Sequence, residues 1–515
     1  MVMISKSTFV DYCRCRKFAW NKMYHPEKFI VTQDQQRRID DGIAIGKLAR
    51  NLYPGAVTIS EAVGNSGDAD SMVKATADEI LKGTEVICEA AFRFNDLYCA
   101  VDILQKAVDG WVINEVKSVT EKKDDKDNGV KKEIFYDDIA FQKYVVEQCG
   151  LQVVKTNLVC LDPHYVRGDE LDLSQLFKFI DVTEGVNERE LQVPSICASA
   201  LVDLSSSVEP GMEIHVKCKE DSVFCDIWKE CGPEDMSQSV FSLYRRPIKT
   251  DLKMIEKGIE TFEDCYYNPK EADLSKFQNL QVLYGLNEKL GLGLPDIHLN
   301  LENLRTFMDQ LTYPLYFLDF ETMQPVVPPF KGTHAYQQIP FQYSLHYIEE
   351  KGGELKHKEF LAESGTDPRR ALAERLCKDI PMDVVTTAYN KKFECGRIAE
   401  LAEVFPDLRT HLLNIRDNIV DLMDPFSSCW YYRKEIGRSV SIKSVLPAIC
   451  PNDPELDYHQ LDGVHNGTEA MTVFPQIQYM SPEEQDRARN NLLKYCCLDT
   501  LAMVKVWEEL ERVSQ

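Results

Sequence analysis

From Tyr313 to Phe320 the chain has the apolar run of a buried strand, and it closes on acids: Leu318-Asp319-Phe320-Glu321-Thr322. Residues i and i+2 of a strand share a face, so Asp319 and Glu321 point the same way. Alternation predicts further strands over about 341–349 and 383–389, and 3.6-residue periodicity predicts helices over about 368–378, 391–404 and 486–512. Near the other end, Ser5 or Ser7 caps an expected helix over about 5–30, with Phe9, Tyr12, Phe18 and Trp20 as its apolar surface. A second helix over about 38–53 stops at Pro54-Gly55. A strand-rich stretch follows over about 84–118, then an amphipathic helix from Tyr136 to Gln148 and a strand from Gln152 to Leu161. Residues 246–310 alternate helical patterns with Pro and Gly breaks and read as a connector. The expected class is α/β, divided as 1–240, 241–305 and 306–515.

Composition narrows this picture. A chain of 515 residues holds two or three domains. No apolar run is long enough to span a membrane. Met1-Val2-Met3-Ile4-Ser5-Lys6-Ser7 lacks the basic-then-apolar order of a secretion signal, so a cytoplasmic location is expected. The formal net charge of −24 argues against a broad electrostatic grip on nucleic acid. Local basic patches remain: Arg14, Arg16 and Lys17; Lys122, Lys123, Lys131 and Lys132; Arg245, Arg246 and Lys249; Lys391 and Lys392. Each also reads as an ordinary solvated face. Seventeen cysteines, an odd count, suit metal or cluster ligation better than a disulfide framework. The ten histidines show no zinc spacing, and no Walker loop is present, so no ATPase is expected.

Two constellations carry chemistry. In the first, Asp109-Gly110 separates Tyr98-Cys99-Ala100-Val101-Asp102-Ile103-Leu104 from Trp111-Val112-Ile113-Asn114-Glu115-Val116-Lys117, a hairpin signal. With 109 and 110 as the loop, Asp102 opposes Lys117, and Glu115 becomes its diagonal neighbour at about 7–8 Å. Asp102, Glu115 and Lys117 then share one face, where the acids can hold a divalent cation and the lysine can stabilise phosphate charge. A solvent-facing Glu–Lys pair is the plainer alternative. This acid followed by acid-x-Lys resembles the PD-(D/E)xK nuclease superfamily, which implies a restriction-endonuclease-like domain with a mixed sheet. Gln142 and Tyr144 lie on the helix that faces the site in that superfamily, and Glu89 is a further candidate metal ligand. Cys15 before this pattern, and Cys218, Cys225 and Cys231 after it, resemble the arrangement in RecB-like iron–sulfur nucleases, among them CRISPR-associated and AddB-type members. The resemblance implies a [4Fe–4S] cluster on those thiolates, with Zn²⁺ or unliganded cysteines as alternatives. The gap Cys218-x6-Cys225 is longer than that family's usual CxxC, and 42–48 lacks the histidine that those nucleases carry in an early helix.

In the second constellation Asp319 and Glu321 pair with Tyr495-Cys496-Cys497-Leu498-Asp499, where Tyr495 and Asp499 are i and i+4 neighbours on a helix. Between them stands Asn390-Lys391-Lys392-Phe393-Glu394. The set resembles the tyrosine-type DEDD exonucleases, whose fold is RNase H-like; Glu394 stands where that family has Asp. Ile419-Val420-Asp421-Leu422, Ser441-Ile442-Lys443 and Gly467-x-x-Ala470 resemble further elements of its polymerase-like members. The resemblance implies that Asp319, Glu321 and Asp499 bind Mg²⁺ or Mn²⁺, that Glu394 assists, and that Tyr495 orients the attacking water. Together the two halves resemble a prokaryotic family joining both nuclease types. The implied substrate is nucleic acid, DNA before RNA, and the implied partner class is a helicase or a repair or defence complex. A non-catalytic binding or scaffold subunit is the competing expectation; oligomeric state is left open.

Overall fold

The computed structural model describes residues 2–64, 68–120, 132–220, 223–451, 453, 456 and 461–515. Lys122, Lys123 and Lys131 of the second basic patch lie outside them. The chain is mixed α/β and forms two compact units: Met1–Lys217 with Cys225–Cys231 and Pro325–Gln337, and Cys218–Phe224 with Gly232–Gln324 and Gln338–Gln515. No helix among the described residues is long and apolar enough to cross a membrane.

The first unit is built on a mixed sheet in the order Val57–Thr58, Val86–Phe94, Leu97–Ala107, Gly110–Thr120, Val153–Leu161 and Phe177–Asp181, with Ile4–Ser5 added to Leu97–Ala107. Gly110–Thr120 runs parallel to Val153–Leu161, so a crossover must join them, and the helix Tyr136–Gln148 supplies it. The helix expected over 5–30 is two helices, Lys6–Arg14 and Arg16–Tyr24. Cys15 divides them by taking an extended conformation, φ −166° and ψ 122°.

The hairpin is shifted from its expected register. Ala107 pairs with Gly110 and Lys106 with Trp111, so Val108 and Asp109 form the loop. The displaced residue is the glycine. A Cβ at Gly110 would stand 2.5 Å from the Gln152 carbonyl oxygen, so Gly110 belongs to the strand, where backbone passes close to backbone, and not to the turn. The shift is two residues, which preserves the faces. Continued outward, it sets Asp102 opposite Glu115 instead of Lys117.

The second unit carries a five-stranded sheet ordered Leu355–Leu361, Ile339–Ile348, Leu315–Met323, Val385–Ala388, Ile419–Asp421. The first three are antiparallel, and the last two run parallel to the central strand. Tyr316, Leu318 and Phe320 pack on one face against Leu372, Leu376, Ile398 and Leu401. Leu315 and Phe317 pack on the other against Met503, Val506, Trp507 and Leu510 of the long helix Pro482–Ser514. Phe277 and Tyr284, from the stretch expected as a connector, are buried in this second cluster.

Candidate functional site

In the second unit, the face of the central strand that begins with Leu315 and Phe317 continues through Asp319 and Glu321. The long helix does the same in reverse. Its buried stripe runs Leu510, Trp507, Met503, Asp499, Tyr495, Leu492, a helical i, i+3, i+4 series in which one core-facing position is an acid. Strand and helix therefore bring acids together where their hydrophobic contact ends. The result is a cleft of about 560 Å³ lined by Asp319, Glu321, Tyr389, Lys443, Tyr495 and Asp499, among others.

The electrostatics of this cleft are unfavourable as it stands. Burial, and then Asp499, Glu321 and Glu394, hold the Asp319 carboxyl well above the carboxylate range. Burial and Asp499 do the same to Glu321, while Lys443 opposes them. Glu321 is 7% exposed and Asp499 9%. Partial relief comes from the helix Gly467–Gln476, whose first residue faces Glu321: a Cβ on Gly467 would lie 3.6 Å from Glu321 Oε2. Carboxylate oxygens of Asp319 and Glu321 and the Cys496 sulfur lie within 4.8 Å of one another. Hard oxygen donors at this density suit Mg²⁺ or Mn²⁺.

Glu394 stands behind the cleft; its neighbour Phe393 lines it. It is 2% exposed, burial and then Asp421 push its carboxyl up to about 8, and its Oε2 is buried without a hydrogen-bond partner. Asp421 is committed elsewhere: it accepts from the backbone N–H groups of Asn390, Lys391 and Met423 at 2.9–3.0 Å. Tyr495 is 3% exposed, with Lys443 Nζ 5.7 Å from its ring centre.

In the first unit, Asp102, Glu115 and Lys117 meet at a fork in the sheet. Leu97–Ala107 pairs with Gly110–Thr120 as far as Ile103 and Asn114, and Ile4–Ser5 takes the place beside Leu97 and Tyr98. Asp102 Oδ2 accepts the Val116 N–H at 2.9 Å. Glu115 Oε1 accepts from Lys6 and Lys117, each at 2.8 Å, and Oε2 accepts from Gln142 at 2.8 Å. Asp138 completes the group through Lys117 and Gln142. Burial opposes ionisation of Glu115, but Lys117 and Lys6 outweigh it and hold the group well below its ordinary value. Asp102 is pushed up to about 7 by burial and by Glu115. Two lysines thus balance most of the charge here, as they do not in the other cleft.

Other expected positions are distributed differently. Glu89 is paired with Arg50; its second oxygen is buried without a hydrogen-bond partner, and its φ of +55° is rare for a side-chain-bearing residue. Tyr144 packs against the apolar core, on another side of its helix from Gln142. Cys15, Cys225 and Cys231 share a small apolar cluster with Phe18, Phe29 and Ile227, while Cys218 belongs to the second unit. Of the basic patches, Arg246 is buried and donates to Gln278 and the Ala272 carbonyl, and Lys391 Nζ donates to the Ile419 carbonyl. Lys6, Asp138 and Cys496 were not anticipated. Asp138 left a trace, a polar position four before Gln142 on one helix face; Lys6 left none.

A family model described as "Domain of unknown function (DUF2779)" matches residues 316–441. That span includes Asp319, Glu321 and Glu394 and stops before Tyr495 and Asp499. No curated protein matches the chain, and no solved structure does.

Proposed function

We propose that this chain is a divalent-metal-dependent nuclease, with a 3′→5′ exonuclease in the second unit and a single-strand DNA nuclease in the first. The observation that carries the reading is the convergence of Asp319, Glu321 and Asp499, buried and mutually repelling, on one open cleft. Buried like charges of this kind cost stability unless a cation or a proton compensates them. The strand order, three antiparallel followed by two parallel, supports the RNase H-like reading of this unit. Bound Mg²⁺ or Mn²⁺ lowers the cost of deprotonating an attacking water and neutralises charge on the phosphate. Asp319, Glu321 and Asp499 would hold the ions, Glu394 would support them from behind, and the Tyr495 hydroxyl would orient the water. Arg245 and Arg438 line a neighbouring recess of about 240 Å³, and the chain continues from Arg438 through Ser441 to Lys443 in the cleft, a basic track for the sugar–phosphate backbone.

The test is a time course on 3′- and 5′-labelled single strands of matched DNA and RNA with Mg²⁺ or Mn²⁺. Stepwise loss from the 3′ end, faster on DNA, is expected; binding without cleavage at any Mn²⁺ concentration refutes the reading. Tyr495→Phe removes one hydrogen bond and should slow cleavage about tenfold, with little change in DNA affinity.

The first unit carries a second reading. Lys6 and Lys117 already neutralise Glu115, so this site has less need of a cation and suits a binding module that holds nucleic acid without cutting it. A metal-dependent cleavage that survives loss of the exonuclease but not Asp102→Ala excludes that reading.

The Cys15, Cys225 and Cys231 cluster supports an iron–sulfur group in its chemistry: thiols in an apolar recess, with Arg14 and Lys22 over the Phe18 ring as nearby positive charge. Anaerobically purified protein should be brown and contain iron and sulfide, and Cys225→Ser should lose both and melt earlier. Colourless protein with a stoichiometric amount of zinc that is lost in Cys225→Ser favours Zn²⁺ instead.

A further inference from the structure

Where the long helix packs on Ile339–Ile348 and Leu355–Leu361, three ligands meet that the chain does not bring together locally. His346 and His357 are direct cross-strand partners on Ile339–Ile348 and Leu355–Leu361, with ring centres 4.5 Å apart. Cys497 reaches them from the helix. A nitrogen of each ring and the Cys497 sulfur lie within 4.8 Å of one another.

The surroundings are arranged as metal-ligating histidines require. Each imidazole spends one nitrogen on a hydroxyl: His346 Nδ1 bonds Thr500 Oγ1 at 2.8 Å, and His357 Nε2 bonds Ser344 Oγ at 2.9 Å. Those hydroxyls bond each other at 2.6 Å, which closes one network around both rings. Such contacts fix ring orientation and direct the remaining nitrogen outward as a donor. Burial, and then His357, pushes His346 down to about 4; burial lowers His357 as well, so both rings are neutral near pH 7. Glu359 lies two residues from His357 on the same strand face, and its charge acts on both His357 and Cys497.

We propose that His346, His357 and Cys497 form a binding site for a zinc-class transition-metal ion, with Glu359 or water in the fourth position. Two imidazoles and a thiolate select Zn²⁺ over Mg²⁺, whereas the carboxylates of the cleft suit Mg²⁺ or Mn²⁺. Its ligands are not those of the cleft, yet the two sites adjoin: Ser344 of the hydroxyl network pairs directly with Asp319. Cys497 lies between Tyr495 and Asp499 on one helix, so an ion here ties that helix to Ile339–Ile348 and Leu355–Leu361 and holds Asp499 in place.

The experiment uses the full chain, stripped of metal with a chelator and titrated with Co²⁺ as a spectroscopic substitute for Zn²⁺, in wild type, His357→Ala and Cys497→Ser. His357 is exposed, so its variant should fold. Wild type should take up one equivalent at this site, beyond any held by the cleft or by Cys15, Cys225 and Cys231, with a thiolate-to-cobalt charge-transfer band, resist its displacement by millimolar Mg²⁺, and melt higher with Zn²⁺. Both variants should lose that equivalent, the part of the band it contributes and the Zn²⁺-dependent rise in melting temperature, or bind at least tenfold more weakly. Asp319→Asn should keep all three. If both variants bind Co²⁺ as wild type does, or if Mg²⁺ displaces the ion, the proposal is wrong. Neither result bears on DNA cleavage, so failure here is separable from failure of the nuclease reading.

Discussion

Asp319→Asn is expected to lower the Mg²⁺- or Mn²⁺-dependent exonuclease rate about a thousandfold and, at the same time, to raise the melting temperature of the metal-free chain. The first effect follows from losing an oxygen ligand to ions that stabilise transition-state charge: a loss of about 4 kcal/mol corresponds to roughly three orders of magnitude. The second follows from the repulsion that makes the site useful. Asp319 is held well above its ordinary pKa by burial and by Asp499, Glu321 and Glu394, so its ionised form is a cost to the fold, and asparagine removes it.

The pH dependence has a definite sign. Asp319, Glu321 and Glu394 all keep protons in the folded chain at pH values where the unfolded chain has lost them. Through that window the folded state binds more protons, so stability falls as pH rises. The window opens near the ordinary value of 4.5 for Glu394 and extends to about 8, where that group is held. Melting in chelator should therefore worsen from about pH 5 to about pH 8, less steeply in Asp319→Asn and less steeply again with Mn²⁺ present. A variant that melts at the wild-type temperature with an unchanged pH slope would show that these carboxylates do not strain the fold.

Glu115→Ala should destabilise the first unit by roughly 3–5 kcal/mol, the usual result of removing one member of a buried ion group and stranding the others. Glu115 is 1% exposed and accepts from Lys6, Lys117 and Gln142. Without it, two lysines converge on Asp138, with Asp102 opposite a missing charge. Lys117→Met takes away one cation and leaves Lys6 to neutralise Glu115, so its cost should be clearly smaller. Denaturant unfolding followed through Trp20 and Trp111, both in this unit, measures the difference. A Glu115→Ala midpoint indistinguishable from wild type would mean that the cluster adds nothing net to the fold.

These two sites were unequally legible. The second-unit acids declared themselves because each breaks a local period: Asp319 and Glu321 occupy one face of an apolar strand, and Asp499 sits in the core stripe of an apolar helix. In the hairpin, the alternation named the correct face for Asp102, Glu115 and Lys117, but the turn rule assigned Gly110 to the loop. Its real constraint is the Gln152 carbonyl, a contact from a distant strand. The histidines illustrate the same limit. No zinc spacing exists along the chain, yet strand pairing sets His346 against His357 and helix packing brings Cys497 to both.

The division has a physical origin. Side-chain direction within one strand or helix repeats every two or 3.6 residues, so the order of residues alone decided which acids share a face and which elements are amphipathic. Partnership across elements depends on pairing and packing between segments far apart in the chain. Only the folded chain put Lys6 on Glu115, Asp138 beside Lys117, and an imidazole pair against the helix that carries Asp499, because backbone pairing and core packing choose those neighbours, and neither is written in the spacing of residues.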